Sequence, residues 1–257
     1  MRCPRGPGGC APAVGVVPQM VAGRFDRFRG EIFGFGTTAG HRVVVGRWLE
    51  SPFGPFADVM HEAPDGTRSL LAPTDRVADF VAGTYRFDRV AVVPVTTERF
   101  ADRLRVEAGD LVADVTTDTR TAVGWALRAV PVPLARARWW CTLIDPVARR
   151  VLPGVRTRGT TGDGRHEWYG ATDQHRIVAV RASLGGLDLG ALADMWPPVR
   201  FGFGSAPRRP SVVAVTTTVH EEAPPRSAGF ERPPVDLRTP VRASPFHRRQ
   251  DRDQRGP

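Results

Sequence analysis

The feature that most constrains this chain is a succession of short β-branched runs. They lie at residues 42–48, 90–97, 111–117, 121–130, 176–182 and 211–219, mostly bounded by Gly, Pro or Asp. Several alternate Val with a small or polar residue, as in Val213-Ala-Val-Thr216, which suits a pleat buried on one face. The segment from Thr160 to Tyr169 reads as a hairpin turning at residues 162–164. Helical signals are few. Residues 75–84 follow a Thr74 cap with Val77, Phe80 and Val81 on one face. Residues 134–144 place Leu134, Ala137, Trp140 or Cys141, and Ile144 at a 3.6-residue period, after which Asp145-Pro146 caps a short turn. The expected fold is mainly β (α+β): a mostly antiparallel, closed or nearly closed β-barrel with two to three inserted helices. Long helices alternating with strands are missing, which excludes a doubly wound nucleotide-binding sheet.

Composition sets the domain limits. Residues 1–20 form a Gly/Pro-rich leader expected to be disordered, with Met20 as an alternative start; 21–220 read as a single barrel domain. Residues 221–257, rich in Pro, Arg and Ser, are expected to form a disordered tail. All 36 basic residues are arginine, and the chain carries a net charge of +9. Within 21–220, however, 26 arginines face 21 acids with the signs interspersed, which describes a solvated surface rather than a phosphate-binding stripe. Nucleic acid is therefore not the expected partner.

Several chemistries are excluded or disfavoured. Cys3, Cys10 and Cys141 are neither a disulfide framework nor a metal set, and suit a reducing cytoplasm. No apolar run is long enough to cross a membrane, and no membrane is expected as a partner. Gly34-Phe-Gly36-Thr-Thr-Ala39 matches a dinucleotide fingerprint formally, but strand residues follow where that motif needs a helix. No cofactor is called for. The stretch from Asp163 through His166 and Glu167 to His175 gathers two histidines and three acids, yet its spacing fits a polar hairpin better than a ligand set, and no metal site is assigned. Trp168 and His175 within it are candidate ligand contacts. Ser183 lacks a nucleophile-elbow context, and Cys141 sits on an apolar helix face.

The most informative stretch is Trp48-Leu-Glu-Ser-Pro-Phe-Gly-Pro-Phe-Ala-Asp58-Val-Met-His-Glu62. Strand alternation puts Asp58, Met60 and Glu62 on one face, and a paired set of acids facing inward is costly unless partnered or used. Ser51-Pro-Phe-Gly-Pro-Phe-Ala-Asp58 resembles the Ser-Pro-x-Gly-Pro-Tyr-x-Glu strand of acetoacetate decarboxylase-like barrel proteins. Asp102-Arg-Leu-Arg-Val-Glu-Ala-Gly-Asp-Leu-Val-Ala-Asp-Val resembles the strand pair that follows that family's catalytic segment. The resemblance implies a barrel around a small-molecule cavity, usually in a homo-oligomer, with Asp58 at the place of a pocket glutamate. It also implies a divergent member, because the family's decarboxylases form an imine on a lysine and this chain has none; Thr96, Thr97, Glu98 and Arg99 occupy that region. Arginine stays protonated and cannot replace the amine.

Two functions fit these residues. One is a pocket for a small carboxylate or carbonyl ligand, with Asp58 as general base, Glu62 beside it and Arg29 or Arg47 holding a carboxylate, running lyase- or hydratase-type acid–base chemistry if it is an enzyme. The other is a non-enzymatic binding protein whose arginine-rich tail meets nucleic acid or an acidic partner.

Overall fold

A computed structural model describes residues 24–152, 154–160, 164–202 and 206–221. Contacts divide the chain into two units, Met1–Ala223 and Pro224–Pro257. The second unit and the leader lie outside the described residues, as do Cys3, Cys10, Asp163 and most of the turn expected at 162–164.

The chain opens with four antiparallel neighbours: β1 (Arg24–Thr37), β2 (Arg42–Glu50), β3 (Phe56–Glu62) and β4 (Arg68–Ala72). Helix α1 (Asp75–Thr84) then crosses to β5 (Arg89–Val92), which pairs with β4 in parallel. Its start is where the sequence puts it: Thr74 is extended, and its hydroxyl accepts a hydrogen bond from the Val77 N–H. The hairpins β6 (Val95–Arg99), β7 (Arg103–Ala108) and β8 (Leu111–Arg120) follow, and then α2 (Ala122–Arg128), α3 (Val132–Ala135) and α4 (Arg138–Val151). The chain returns through β9 (Arg158–Thr160), the 19-residue β10 (His166–Leu184), the short β11 (Leu187–Asp188) and β12 (Leu192–Ala193), and closes with β13 (Ser211–Glu221).

These strands form one large mixed sheet, mainly antiparallel, with few helices. Its hydrogen-bonded order is β5-β4-β3-β2-β1-β13-β10-β8-β7-β6, so the path does not close on itself, unlike a fully closed barrel. The two edge strands are nonetheless consecutive in the chain, joined only by Val93 and Pro94, which keeps the edges within roughly 11 Å of each other. Pro94 has no N–H to donate where they meet. The single run expected at 90–97 is broken there into β5 and β6.

Two further expectations change. Residues 121–130 form α2 rather than a strand, because the Thr121 hydroxyl accepts from the Gly124 N–H and starts a helix before any pairing can continue. The helix expected at 134–144 is divided into α3 and α4, and α4 runs on through Pro146 to Val151. Asp145, expected to cap a new turn, instead accepts from the Thr157 N–H at 2.8 Å.

The main core lies on one face of the sheet: Phe33, Phe35, Val43, Val45 and Val59 meet Leu104, Val106, Leu111, Val115 and Ile177. Alternation sends the intervening residues of β1, β2 and β3 to the other face, under α1 and the segment that precedes β13.

Candidate functional site

That second face holds a small, mostly apolar cavity. Five adjacent strands supply its floor in cross-strand rows, Ile32–Gly46–Asp58 across β1, β2 and β3, and Phe28–Thr217–Tyr169 across β1, β13 and β10. Phe80, Val81 and Tyr85 from α1 and its C-cap, with Val199 and Phe201, cover it. The cavity volume is about 60 Å³. At roughly 10–15 Å³ per water position, that suits a molecule of about four to six heavy atoms.

Asp58 enters this cavity from β3. Its side chain is buried; one oxygen, Oδ1, accepts from Trp48 Nε1 at 2.9 Å, and the other, Oδ2, has no hydrogen-bond partner among the described residues. Burial pushes its carboxyl up to about 7, against the Trp48 hydrogen bond that favours the charged form. Gly46 makes the pairing possible. A Cβ there would lie 2.6 Å from Asp58 Oδ1 and 2.7 Å from Trp48 Nε1, so no side chain fits under that bond. Thr217 Oγ1 is a second buried oxygen without a partner among the cavity's lining residues. Two orphaned polar atoms in one apolar cavity are the arrangement expected of a site that accepts a ligand or water.

Glu167 enters from β10, on the far side of the floor. Tyr85 Oη donates to its Oε2 at 3.1 Å and Tyr169 Oη at 3.2 Å, and the two hydroxyls also contact one another. Tyr85 and Tyr169 are the only tyrosines in the chain. Burial pushes Glu167 up to about 7, with the two tyrosine hydrogen bonds acting the other way. Burial, reinforced by the adjacent Glu167, raises Tyr85 well above the ordinary phenol value and keeps it protonated. The cavity thus carries two carboxyls that change charge near neutrality and two hydroxyl donors, with no arginine, lysine or histidine among its lining residues.

The residues singled out from sequence fall in different places. Asp58 lines the cavity. Glu62, four residues further along β3 on the same face, is fully buried and held by Arg42 at 3.1 Å and by Arg200, whose N–H and Nε donate to it at 2.8 and 3.0 Å. It ties β2 and β3 to the residue 200 segment. Arg47 sits one residue from Gly46 and so faces the other way; it pairs with Glu31 at 3.2 Å, as does Arg99 at 3.5 Å. Arg29 is on that same opposite face, exposed and paired with Glu50. Trp168, between Glu167 and Tyr169, points away from the cavity towards Arg138. His175 lies in a polar crevice, with Nδ1 at 3.0 Å from the Asp118 carbonyl and Nε2 at 3.6 Å from Asp173. Among the described residues no group of three His, Cys, Asp or Glu is placed to hold a metal ion. Cys141 is buried, and desolvation pushes its thiol up to about 11.

Sequence reasoning passed over Tyr85 and Thr217, and met Glu167 and Tyr169 only as parts of a polar hairpin. Their one legible signal was the scarcity of tyrosine, since a chain with two of them that places both against one carboxylate is using them for their hydroxyls.

Fold and site together define a β-sheet protein with an acid-bearing cavity on one face of its sheet. Comparison with known proteins takes this no further. No protein-family model and no curated protein matches the chain. A solved structure from Nitrosomonas europaea that carries the name AttH aligns with 85% of this chain and 60% of its own, at 12% identity and a TM-score of 0.25, too slight a likeness to establish a common fold. Among the described residues no helix is long and apolar enough to cross a membrane.

Proposed function

We propose that the protein binds a small, uncharged, mostly apolar carbonyl compound in the cavity between Asp58 and Glu167, with Asp58 as proton acceptor. The observation that carries this reading is Asp58 itself: a buried residue of the cavity lining, its carboxyl pushed up to about 7 by burial, with Oδ2 unpartnered among the described residues. A carboxyl raised towards neutrality can take up and release a proton at physiological pH. A nearly closed barrel of the acetoacetate decarboxylase-like type, with Asp58 in the position of the pocket glutamate, is compatible with the two edge strands being consecutive.

The reaction class that fits is enol chemistry. Asp58 takes a proton from the carbon beside the carbonyl, the C–H electrons form the C=C bond, and the carbonyl oxygen receives a hydrogen bond or proton from the Tyr85–Tyr169–Glu167 cluster. A protonated carboxyl beside a tyrosine in apolar surroundings is a known means of stabilising such an oxygen. Returning the proton to carbon regenerates Asp58 as carboxylate, so no co-reactant is needed. Because the lining residues include no cation, a carboxylate ligand is disfavoured relative to a ketone of the same size.

The test is a melting-temperature screen of short ketones, 1,3-diketones and the matching carboxylates, followed by proton NMR of deuterium uptake at the carbon beside the carbonyl. Saturation at 100 times the dissociation constant adds about 2.7 kcal/mol. Ketone binding, with deuterium uptake abolished in Asp58→Asn and binding weakened in Tyr85→Phe, is the expected result. Uptake at the wild-type rate in Asp58→Asn removes Asp58 from the chemistry, and no shift with any ketone removes the ligand class.

A further inference from the structure

The helical segment between β8 and β9 carries an apolar row that stays exposed among the described residues. On α4, Trp139, Leu143, Val147 and Val151 recur every fourth residue and are 62%, 64%, 51% and 60% exposed. That spacing sets them along one side of the helix. The opposite side, with Cys141 and Asp145, is already buried against the protein. Trp125 on α2 adds another ring that is 62% exposed.

The segment itself is one-sided in charge, although Arg128 also reaches Asp173 of β10 at 3.6 Å. Residues 121–160 contain seven arginines, at 128, 136, 138, 149, 150, 156 and 158, and a single acid, Asp145. All seven arginines are exposed, while Asp145 is buried and bonded to the Thr157 N–H and Arg149. Elsewhere in the described residues the signs are mixed. Beneath the helices runs an apolar groove of about 360 Å³, lined by Leu127, Trp140, Ile144, Val213 and Val215 among others and edged by Arg156.

We propose that this face docks on the surface of an anionic lipid bilayer, with the α4 row in the interface and the arginines among the headgroups. Charge complementarity selects this occupant. A second copy of the chain would press two arginine-rich rims together, and a nucleic acid would leave the tryptophan and leucine row in water. A bilayer accepts both, since tryptophan favours the interfacial region and arginine is drawn to anionic headgroups. It also supplies flexible chains for a groove left open among the described residues. Lying on a membrane in this way is distinct from crossing one. The inference is independent of the Asp58 cavity and stands or falls separately.

The experiment is co-sedimentation of the full chain with phosphatidylcholine vesicles, with and without phosphatidylglycerol. Wild type is expected to bind only the anionic vesicles, with a blue shift of tryptophan fluorescence and loss of binding at high salt. Leu143→Asp, and Arg150→Glu combined with Arg156→Glu, each lower the apparent affinity by about tenfold. Leu187→Asp, a change at a residue 75% exposed on β11, is the control and binds as wild type. All these side chains are exposed or at a groove edge, so thermal melts verify that each variant is folded. The proposal is overturned if wild type ignores anionic vesicles, or if the α4 and arginine variants bind as well as wild type. It is equally overturned if light scattering shows an oligomer that Leu143→Asp dissociates without any vesicle binding, since the row then joins copies of the chain.

Discussion

At the scale of single residues, the chemistry turns on where two carboxyls keep their protons. Asp58 has a folded-state value of about 7 against an ordinary 3.8, so between those values the folded protein holds a proton that the unfolded chain has released. Its stabilising contribution is complete below about pH 4 and is lost as pH rises towards 7. Glu167, at about 7 against 4.5, acts in the same direction. Burial pushes His61 down to about 4, which works the other way over the same range, so the expectation is a difference: between about pH 4 and 7 Asp58→Asn should lose less melting temperature, relative to its value at pH 4, than wild type does. Parallel slopes in calorimetry would mean that Asp58 does not titrate in this window. A second residue-scale expectation concerns Tyr85→Phe. Removing one of the hydrogen bonds that favours the charged form moves Glu167 further above its present value, readable as a higher midpoint in carboxyl carbon NMR. Asp58 could be singled out from sequence because a period of two and a Pro-Phe-Gly-Pro approach are local signals. The Glu167 cluster could not, because Tyr85 is drawn to Glu167 across 82 positions of sequence, a separation that no local pattern reports.

At the scale of elements, parity decided which predicted residues meet the cavity. In the β2–β3 ladder Gly46 stands opposite Asp58 and Arg47 opposite Ala57, so the arginine and the acid face opposite ways. Both strands were legible, but the register between them was not, and a shift of one residue exchanges the faces. The same ladder makes Gly46→Ala a sharp test: overpacking beneath the Trp48–Asp58 bond should cost about 1–3 kcal/mol and alter the Asp58 midpoint, whereas a neutral result in denaturant melts would contradict the close approach. Helix α1 was legible down to its cap because Thr74 and the spacing of Val77 and Val81 agree. Residues 121–130 were misread because β-branched content was weighed above the cap at Thr121. Thr121→Ala is expected to cost about 1 kcal/mol, measurable by urea unfolding; no change would argue against the capping bond that starts α2.

At the scale of the whole described unit, the sheet is assembled from distant parts of the chain. β13 lies between β1 and β10 and pairs along most of both, from Arg24↔Glu221 to Gly34↔Ser211 on one side. A chain ending at Pro210 should therefore expose two long, unpaired inner edges and aggregate, while one ending at Glu221 stays soluble; equal soluble yields would show that β13 is dispensable. That a mainly β sheet would form was plain from the strand-rich sequence. Its incomplete hydrogen-bonded circuit was not, because it depends on one parallel crossover and on the two-residue link at Val93 and Pro94.

The placement of β13 also sets a timetable for biosynthesis. β1 leaves the ribosome first, yet its partner emerges only after about 170 further residues, which at roughly 5–20 residues per second is a wait on the order of 10–40 s. For that interval a 14-residue strand rich in Phe has one edge without its native neighbour. The nascent chain is thus a substrate for holding chaperones until its last strand arrives, and slowing translation ahead of Ser211 should lower the yield of folded protein more than slowing it afterwards.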